Sequence, residues 1–442
     1  MKVTLLDRMT AAIDDARSET AVGRVAGVTG SSVQIRGLAD RLRQGDRVEV
    51  ITHGRRMRAD VVRLQDGLGY GLIDGPADGI AIGDPVRQLA TPRFAPDESW
   101  IGRVIDPDGQ ALDGRSLLPG SVAVDLRNDP PSAHERRGLG ERLQTNLAVM
   151  NTLLPLVRGQ RIGLFAGSGV GKSTLLADLA RGVTADVIVI ALVGERGREV
   201  RHFTETVLGP EGMKRSVVVA ATSDRAPQVR RRCALAATAV AEYFRDQGLQ
   251  VLLLVDSVTR YCEAHREISV LGGEQANLRG YPPSTAGAIA SLCERAGPGV
   301  GDAGDITAVY TVLVAGSDME EPVADMLRGV LDGHIVLDRT IAERGRFPAI
   351  DVLRSVSRAL PDAADRVENN LIAEARRRLA DYDKAALMIQ AGLYEAGSDA
   401  DIDAAVTCRE PLEQFLVIKD KRAVGAHFAA LKLALGAAKT TH

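Results

Sequence analysis

The sequence predicts an α/β protein with a parallel sheet core, preceded by a small β-barrel domain and followed by a helical domain. Three observations predict it. Continuous apolar runs at residues 162–165, 187–193, 217–220, 251–255 and 308–314 alternate with helical stretches, as strands of a parallel sheet covered on both faces do. From residue 21 to about 86 the texture is one of short alternating segments broken by glycines. Beyond Pro361 it turns helical and charged. At 442 residues the chain exceeds the length over which a single core keeps growing. The expected units are a helix at 1–18, a barrel at 19–90, the sheet domain at 91–362 and a helical domain at 363–442.

In chain order, Val3, Leu5, Leu6, Met9, Ala12, Ile13 and Ala16 recur at helical spacing among Asp7, Arg8, Asp14 and Asp15, which gives a short amphipathic helix. Its apolar stripe serves equally a helix that caps its own domain and one that docks on a partner. The triplets at 33–35 and 48–50 alternate, and Gly30, Gly45, Gly54, Gly67, Gly75 and Gly83 punctuate the region, as in a small all-β barrel or sandwich. After Pro92 and Pro96 a strand-like piece at 102–105 meets the turn DPDG at 106–109, and residues 129–134 read as a loop. A helix at about 226–247 places Val229, Cys233, Ala236, Val240 and Phe244 on one face and stops at Gly248. Three helices are expected near the end, at 369–383, at 411–421 opening on Pro411, and at 425–435.

Composition excludes several classes. With 55 Lys plus Arg against 58 Asp plus Glu, the net charge of −3 gives no global attraction to nucleic acid or an anionic membrane. Hydrophobic residues at 45% and charged ones at 26% are far from the signature of disorder. Cys233, Cys262, Cys293 and Cys408 form no CxxC pair, so a zinc site or disulfide framework is not indicated and a reduced, cytosolic compartment fits. Asp7, Asp14 and Asp15 interrupt the run a secretory signal needs, and no stretch reaches the ~18 apolar residues of a membrane span.

The chemistry concentrates in three places. The first is IGLFAGSGVGKS at 162–173, a strand, a glycine-rich loop and a helix start. Phosphate oxygens need converging backbone N–H groups, and Gly167, Gly169 and Gly171 let the backbone approach them. Lys172 adds a point charge for the β and γ phosphates, and the Ser173 hydroxyl can hold Mg²⁺. The pattern GxxxxGK[ST] would place glycine at 166, where the chain has Ala166. The second is the apolar strand 251–255 ending on Asp256, a carboxylate placed to orient magnesium through water. The third is the charge cluster GERGRE at 194–199 after the strand 187–193. There Glu195 can activate water while arginines such as Arg196 hold the γ phosphate, although without the glycine loop the cluster reads equally as a solvated, salt-bridged turn.

These residues carry a family resemblance. AGSGVGKS at 166–173, VGERGRE at 193–199, ATSD at 221–224, AEYFRDQG at 241–248, DSVTR at 256–260, RGYPP at 279–283, ADMLRGVLDGHIVL at 324–337 and FPAID at 347–351 occur in one order. Together they resemble the ATPase of the flagellar type III export apparatus, in the type III secretion ATPase family, and more distantly the catalytic subunit of rotary ATP synthases. The resemblance covers nearly all of the chain after the loop. It implies a P-loop (RecA-like) core that hydrolyses ATP with Mg²⁺. Gly167, Ser168, Gly169, Val170, Gly171, Lys172, Ser173 and Thr174 form the nucleotide loop. Glu195 activates water, Ser173 and Asp256 serve Mg²⁺, and Arg260 lies at the γ phosphate. The resemblance further implies Phe347 as the ring that stacks on adenine and Arg358 as an arginine finger for a neighbour's site. On its own Phe347 reads equally as a core ring, and Arg358 reads as a helix-surface arginine.

The implied partners follow from the same resemblance: a homohexamer, a regulator protein at the N-terminal helix, a central stalk protein, and export substrates and chaperones at the C-terminal domain. A cytoplasmic protein peripherally associated with the inner-membrane export gate is expected, with no nucleic acid bound. Residues 144–151, 271–278 and 283–290 depart from the family's usual runs, which bears on substrate coupling more than on hydrolysis. An injectisome ATPase and a rotary synthase subunit are the alternatives, the latter disfavoured by AGSG at 166–169 and the segment 243–247. LGGEQ at 271–275 superficially matches the signature of ABC transporter ATPases, but Ser257 stands where those enzymes carry a glutamate, and that reading is rejected.

Overall fold

The computed structural model describes residues 21–90, 93–277, 279–314 and 319–436; the helix expected at 1–18 lies outside them. Six strands form a closed antiparallel barrel: β1 (Val22–Thr29), β2 (Ser32–Arg36), β3 (Arg47–Thr52), β4 (Arg55–Gln65), β5 (Leu68–Ile73) and β6 (Pro85–Gln88). They run in the order β1-β2-β5-β4-β3-β6, with β6 returning to β1, so the barrel and not the sandwich is what the alternating segments build. Val25, Val33, Ile35, Val48, Val50, Ala59, Val61, Ile73 and Val86 fill its interior. Closure needs Gly71, where a Cβ would come within 3.3 Å of both Ala59 and Val33.

The central sheet has eight strands in the order β14-β13-β8-β12-β11-β9-β10-β7. They are β7 (Arg103–Ile105), β8 (Arg161–Ala166), β9 (Val187–Glu195), β10 (Ser216–Thr222), β11 (Val251–Asp256), β12 (Ile306–Leu313), β13 (Gly333–Leu337) and β14 (Ile350–Ser357). All pair in parallel except β14, which runs antiparallel to β13 at one edge. The continuous apolar runs divide by alternation between two cores. Ile188, Ile190, Leu252 and Leu254 face one core with Leu175, Leu176 and Leu179 of α1 (Lys172–Gly182). Val187, Val189, Leu253 and Val255 face the other with Cys233, Ala237, Val240 and Phe244 of α2 (Pro227–Asp246). The remaining long helices of this domain are α3 (Val258–Leu271), α4 (Ser284–Glu294) and α5 (Pro322–Val330).

The barrel is tied to the sheet domain by charge. Arg47 pairs with Asp108 at 2.5 Å, Arg232 at the start of α2 contacts Asp60, and Arg225 reaches Asp74 at 2.9 Å.

The C-terminal region folds as α6 (Arg366–Gln390), α7 (Ala400–Leu416) and α8 (Val424–Gly436). A capping box formed by Asp365 and Glu368 starts α6. The expectation that Pro411 opens a helix is corrected, because Pro411 lies inside α7. Buried Cys408, Leu412, Phe415 and Leu416 on either side of it hold the helix against its neighbours, and this packing outweighs the lost backbone bond. Two contacts reach back to α1 and the segment before it. Lys419 Nζ lies 2.5 Å from Asp178 Oδ1 on α1, and the buried His427 bonds Asn151 and Asp420, each at 3.0 Å. Among the described residues no helix is long and apolar enough to cross a membrane.

Candidate active site

Strands β8, β9 and β11 end at the same edge of the sheet, and their last residues build the site. The loop 167–171 leaves β8 and turns into α1. Gly169 and Gly171 have φ of +78° and +89°, which a side chain would strain. At Gly167 a Cβ would meet nothing closer than Val314 O at 3.7 Å. Lys172 is the first residue of α1, so the helix N-terminus and its free N–H groups face the loop. Ser168, Gly169, Ser173 and Thr174 are exposed there. Val170 is different: its side chain is packed in the core, so only its backbone is available to a ligand.

Asp256, 3% exposed, ends β11, and Ser257 caps α3 directly after it. Lys172 Nζ contacts Asp256 Oδ1 and lies 3.8 Å from Glu195 Oε1 at the end of β9. Burial pushes the Glu195 carboxyl up to about 7, and the negative charge of Asp256 adds to the effect while Lys172 opposes it. A carboxylate poised near neutrality beside a phosphate loop is suited to accept a proton from water. Arg260 flanks it: its Cβ and Cγ lie 3.4 and 3.5 Å from where a Cβ on Gly194 would stand, and its guanidinium bonds Glu263 at 2.8 Å.

The remaining predicted residues separate into near and far. Phe347, half exposed, places its ring edge 3.4–3.5 Å from the Cβ position of Gly171, so it borders the loop instead of filling the core. Arg196 is 67% exposed and pairs with Glu199 at 3.6 Å, turned to solvent. Arg358 is not brought to this site. It follows β14 on a strand end, not on a helix surface, with its backbone N–H bonded to Asp332 O. Asp332 N in turn bonds Arg161 O at the start of β8, so Arg358 stands at the opposite end of the sheet from the chain's own loop. The six residues of β8 separate the two by roughly 20 Å.

Sequence reasoning missed Thr311 on β12, whose hydroxyl donates to Asp256 Oδ1 at 2.7 Å, and Thr259, whose Oγ1 accepts the Leu313 N–H at 2.9 Å. The available signal was a threonine inside the otherwise aliphatic and aromatic run 308–314.

A glycine loop opening a helix, a lysine, and two strand-end carboxylates on a parallel sheet define a P-loop nucleoside triphosphatase. Comparison with known proteins narrows the class. Residues 146–357 match the ATP synthase alpha/beta family, nucleotide-binding domain, and residues 364–425 match the T3SS EscN ATPase C-terminal domain. The flagellum-specific ATP synthase of Caulobacter vibrioides is 43% identical over 416 residues, covering 92% of this chain and 94% of that one. The type 3 secretion system ATPase of Xanthomonas euvesicatoria is 40% identical, covering 89% of each. The assembled ATPase EscN of enteropathogenic E. coli superposes with a TM-score of 0.86 at 34% identity, over 93% of this chain and 100% of that one. In complex with its central stalk EscO, EscN superposes at 0.83 with the same identity and coverage. The chain is an ATPase and belongs to the ATP synthase alpha/beta family, in its flagellar and type III secretion branch.

Proposed function

We propose that this protein hydrolyses ATP to ADP and phosphate to energise protein export by a flagellar type III apparatus, working as a homohexameric ring. The single observation that carries the chemistry is Glu195, a half-buried carboxyl near neutrality set beside Lys172 and Asp256. Lys172 leaves Asp256 for the β and γ phosphates as ATP seats on the N–H groups of the loop 167–171. Glu195 orients the attacking water and takes its proton. Arg196 and Arg260 supply positive charge around the γ phosphate, and Phe347 offers its face to adenine. Ser173 and Asp256 fit Mg²⁺: one exposed hydroxyl and one carboxylate at the loop suit a cation that arrives on phosphate oxygens and keeps its waters. When bound, that ion neutralises charge on the phosphates.

Arg358 lies too far from its own loop to serve it, which supports a role in the next subunit's site and hence a ring. The assembled EscN and its stalk complex support the same arrangement here, with a central stalk as partner. The units 19–90, 91–362 and 363–442 then act as ring-forming barrel, motor and contact domain for substrates and chaperones, and residues 1–18 meet a regulator. The location is cytoplasmic, peripheral to the inner-membrane export gate.

Service to an injectisome is the second reading, favoured by the relationship to the Xanthomonas ATPase. Deleting the gene separates them: loss of motility is expected, whereas intact swimming with lost effector secretion selects the injectisome. Lys172→Ala abolishes phosphate release by the purified protein; substantial surviving turnover refutes the enzymatic reading.

A further inference from the structure

Strand β12 lies between β8, which carries the phosphate loop, and β11, which ends on Asp256. Most of its residues are apolar and buried; besides the Tyr310 phenol, its polar side chains are two buried threonines aligned on one face, Thr307 and Thr311. Thr307 has a structural task, since its Oγ1 accepts the Gly159 N–H at 3.0 Å at the far end of the strand. Thr311 has no such backbone partner among the bonds described. Its fully buried hydroxyl donates to Asp256 Oδ1 at 2.7 Å, the same oxygen that Lys172 contacts. A valine would fill the same volume without a polar atom to satisfy, so a buried hydroxyl here is explained by the carboxylate it meets.

The register places the pair. Tyr310 pairs with Val255, and Thr311 pairs with Leu164 on the other side, so Thr311 sits level with Asp256 and just below the loop. Two residues on, Leu313 N–H bonds Thr259 Oγ1 at the start of α3, which ties the end of β12 to the turn after Asp256. Strand β12 therefore holds the Asp256 carboxylate and, through the Thr259 side chain, the start of the helix that follows it.

We propose that Thr311 is a positioning residue for hydrolysis, holding the Asp256 carboxylate in one orientation toward the nucleotide-borne Mg²⁺ when Lys172 turns to the phosphates. The inference rests on the reading of Asp256 as the magnesium-orienting carboxylate. Lys172 cannot do this task throughout the cycle, because its ammonium is needed at the phosphates. The hydroxyl has no competing ligand and stays.

The test uses the full-length protein and a fluorescent ATP analogue, titrated in EDTA and then with increasing Mg²⁺. Thr311→Val is expected to raise the Mg²⁺ concentration that half-maximally tightens binding by roughly tenfold. Affinity in EDTA should stay within about twofold, because the phosphate loop is untouched. Thr311→Ser, which keeps the hydroxyl, restores the titration. The inference is overturned if Thr311→Val titrates like the unmodified protein, even with a lowered melting temperature, or if Thr311→Ser is as impaired as Thr311→Val. Asp256→Asn is the control: if it titrates like the unmodified protein, the assignment of Asp256 falls, and the role of Thr311 falls with it.

Discussion

The two ends of the central sheet are made of the same strands yet settle their charges in opposite ways. At the start of β8 the charges are matched. Arg161 is held between Asp332 at 3.1 Å and Glu294 at 2.8 Å, Arg136 also reaches Glu294 at 3.4 Å, and Arg137 pairs with Asp305 at 2.7 Å, three guanidiniums to three carboxylates. Burial works against the Arg161 guanidinium, but its two carboxylates overcome this and raise its proton affinity. At the loop end one lysine faces two carboxylates, and burial, with the charge of Asp256 adding to it, pushes the Glu195 carboxyl up to about 7. Matched ions are structure, whereas an uneven set is a site waiting for a charged ligand. Arg358 follows β14 at this matched end, away from its own chain's loop.

That contrast can be broken most sharply at Arg358. Changing it to Ala is expected to lower ATP turnover on the order of 10³-fold. Mixing Arg358→Ala with Glu195→Gln protein should restore activity above the sum of the two, because some interfaces then join an intact carboxylate to an intact guanidinium. Absence of any gain on mixing would place the arginine's action within one chain.

At the loop end, Glu195→Gln should cost on the order of 10²-fold in kcat with nucleotide affinity nearly intact. The base must be unprotonated, and its folded value near 7 lies above the ordinary carboxyl range. Hence kcat/KM of the unmodified enzyme should rise about tenfold per pH unit below 7 and level off above it. The rising limb should vanish in Glu195→Gln. A profile that is flat from pH 5 to 8 would remove Glu195 as the titrating base.

The smallest effect belongs to the matched end. Asp305→Ala removes the carboxylate partner of Arg137 and leaves the Gly299 N–H without its acceptor, so it should cost about 1–2 kcal/mol of stability, read as a lowered melting temperature. Turnover per folded molecule should change by less than about twofold. A large loss of turnover would show that both ends belong to one catalytic unit.

Much of this was legible in the sequence because the information is local. Apolar runs that stop on Glu195, Asp256 or a glycine loop announce strands whose ends bear chemistry. What stayed hidden depends on which strands become neighbours. Thr311 is unremarkable until β12 slots between β8 and β11, and Phe347, which the family resemblance names but its own neighbours in the chain do not, meets the loop only by lying beside Gly171, 176 positions away along the chain. The antiparallel edge strand β14 and the far placement of Arg358 arise from pairing with β13, for which no turn signal stood out. Pro411 misled for the opposite reason: a local rule was sound, but burial on both sides of it prevailed.

The bond from Lys419 to Asp178 gives the C-terminal helices a strut onto the helix that begins at Lys172. Asp178 stands six residues, or about 9 Å, along that helix from the lysine. A displacement of the outer helices is thereby carried to the helix whose N-terminus faces the glycine loop. The outer helices and the glycine loop are thus anchored to one rigid element.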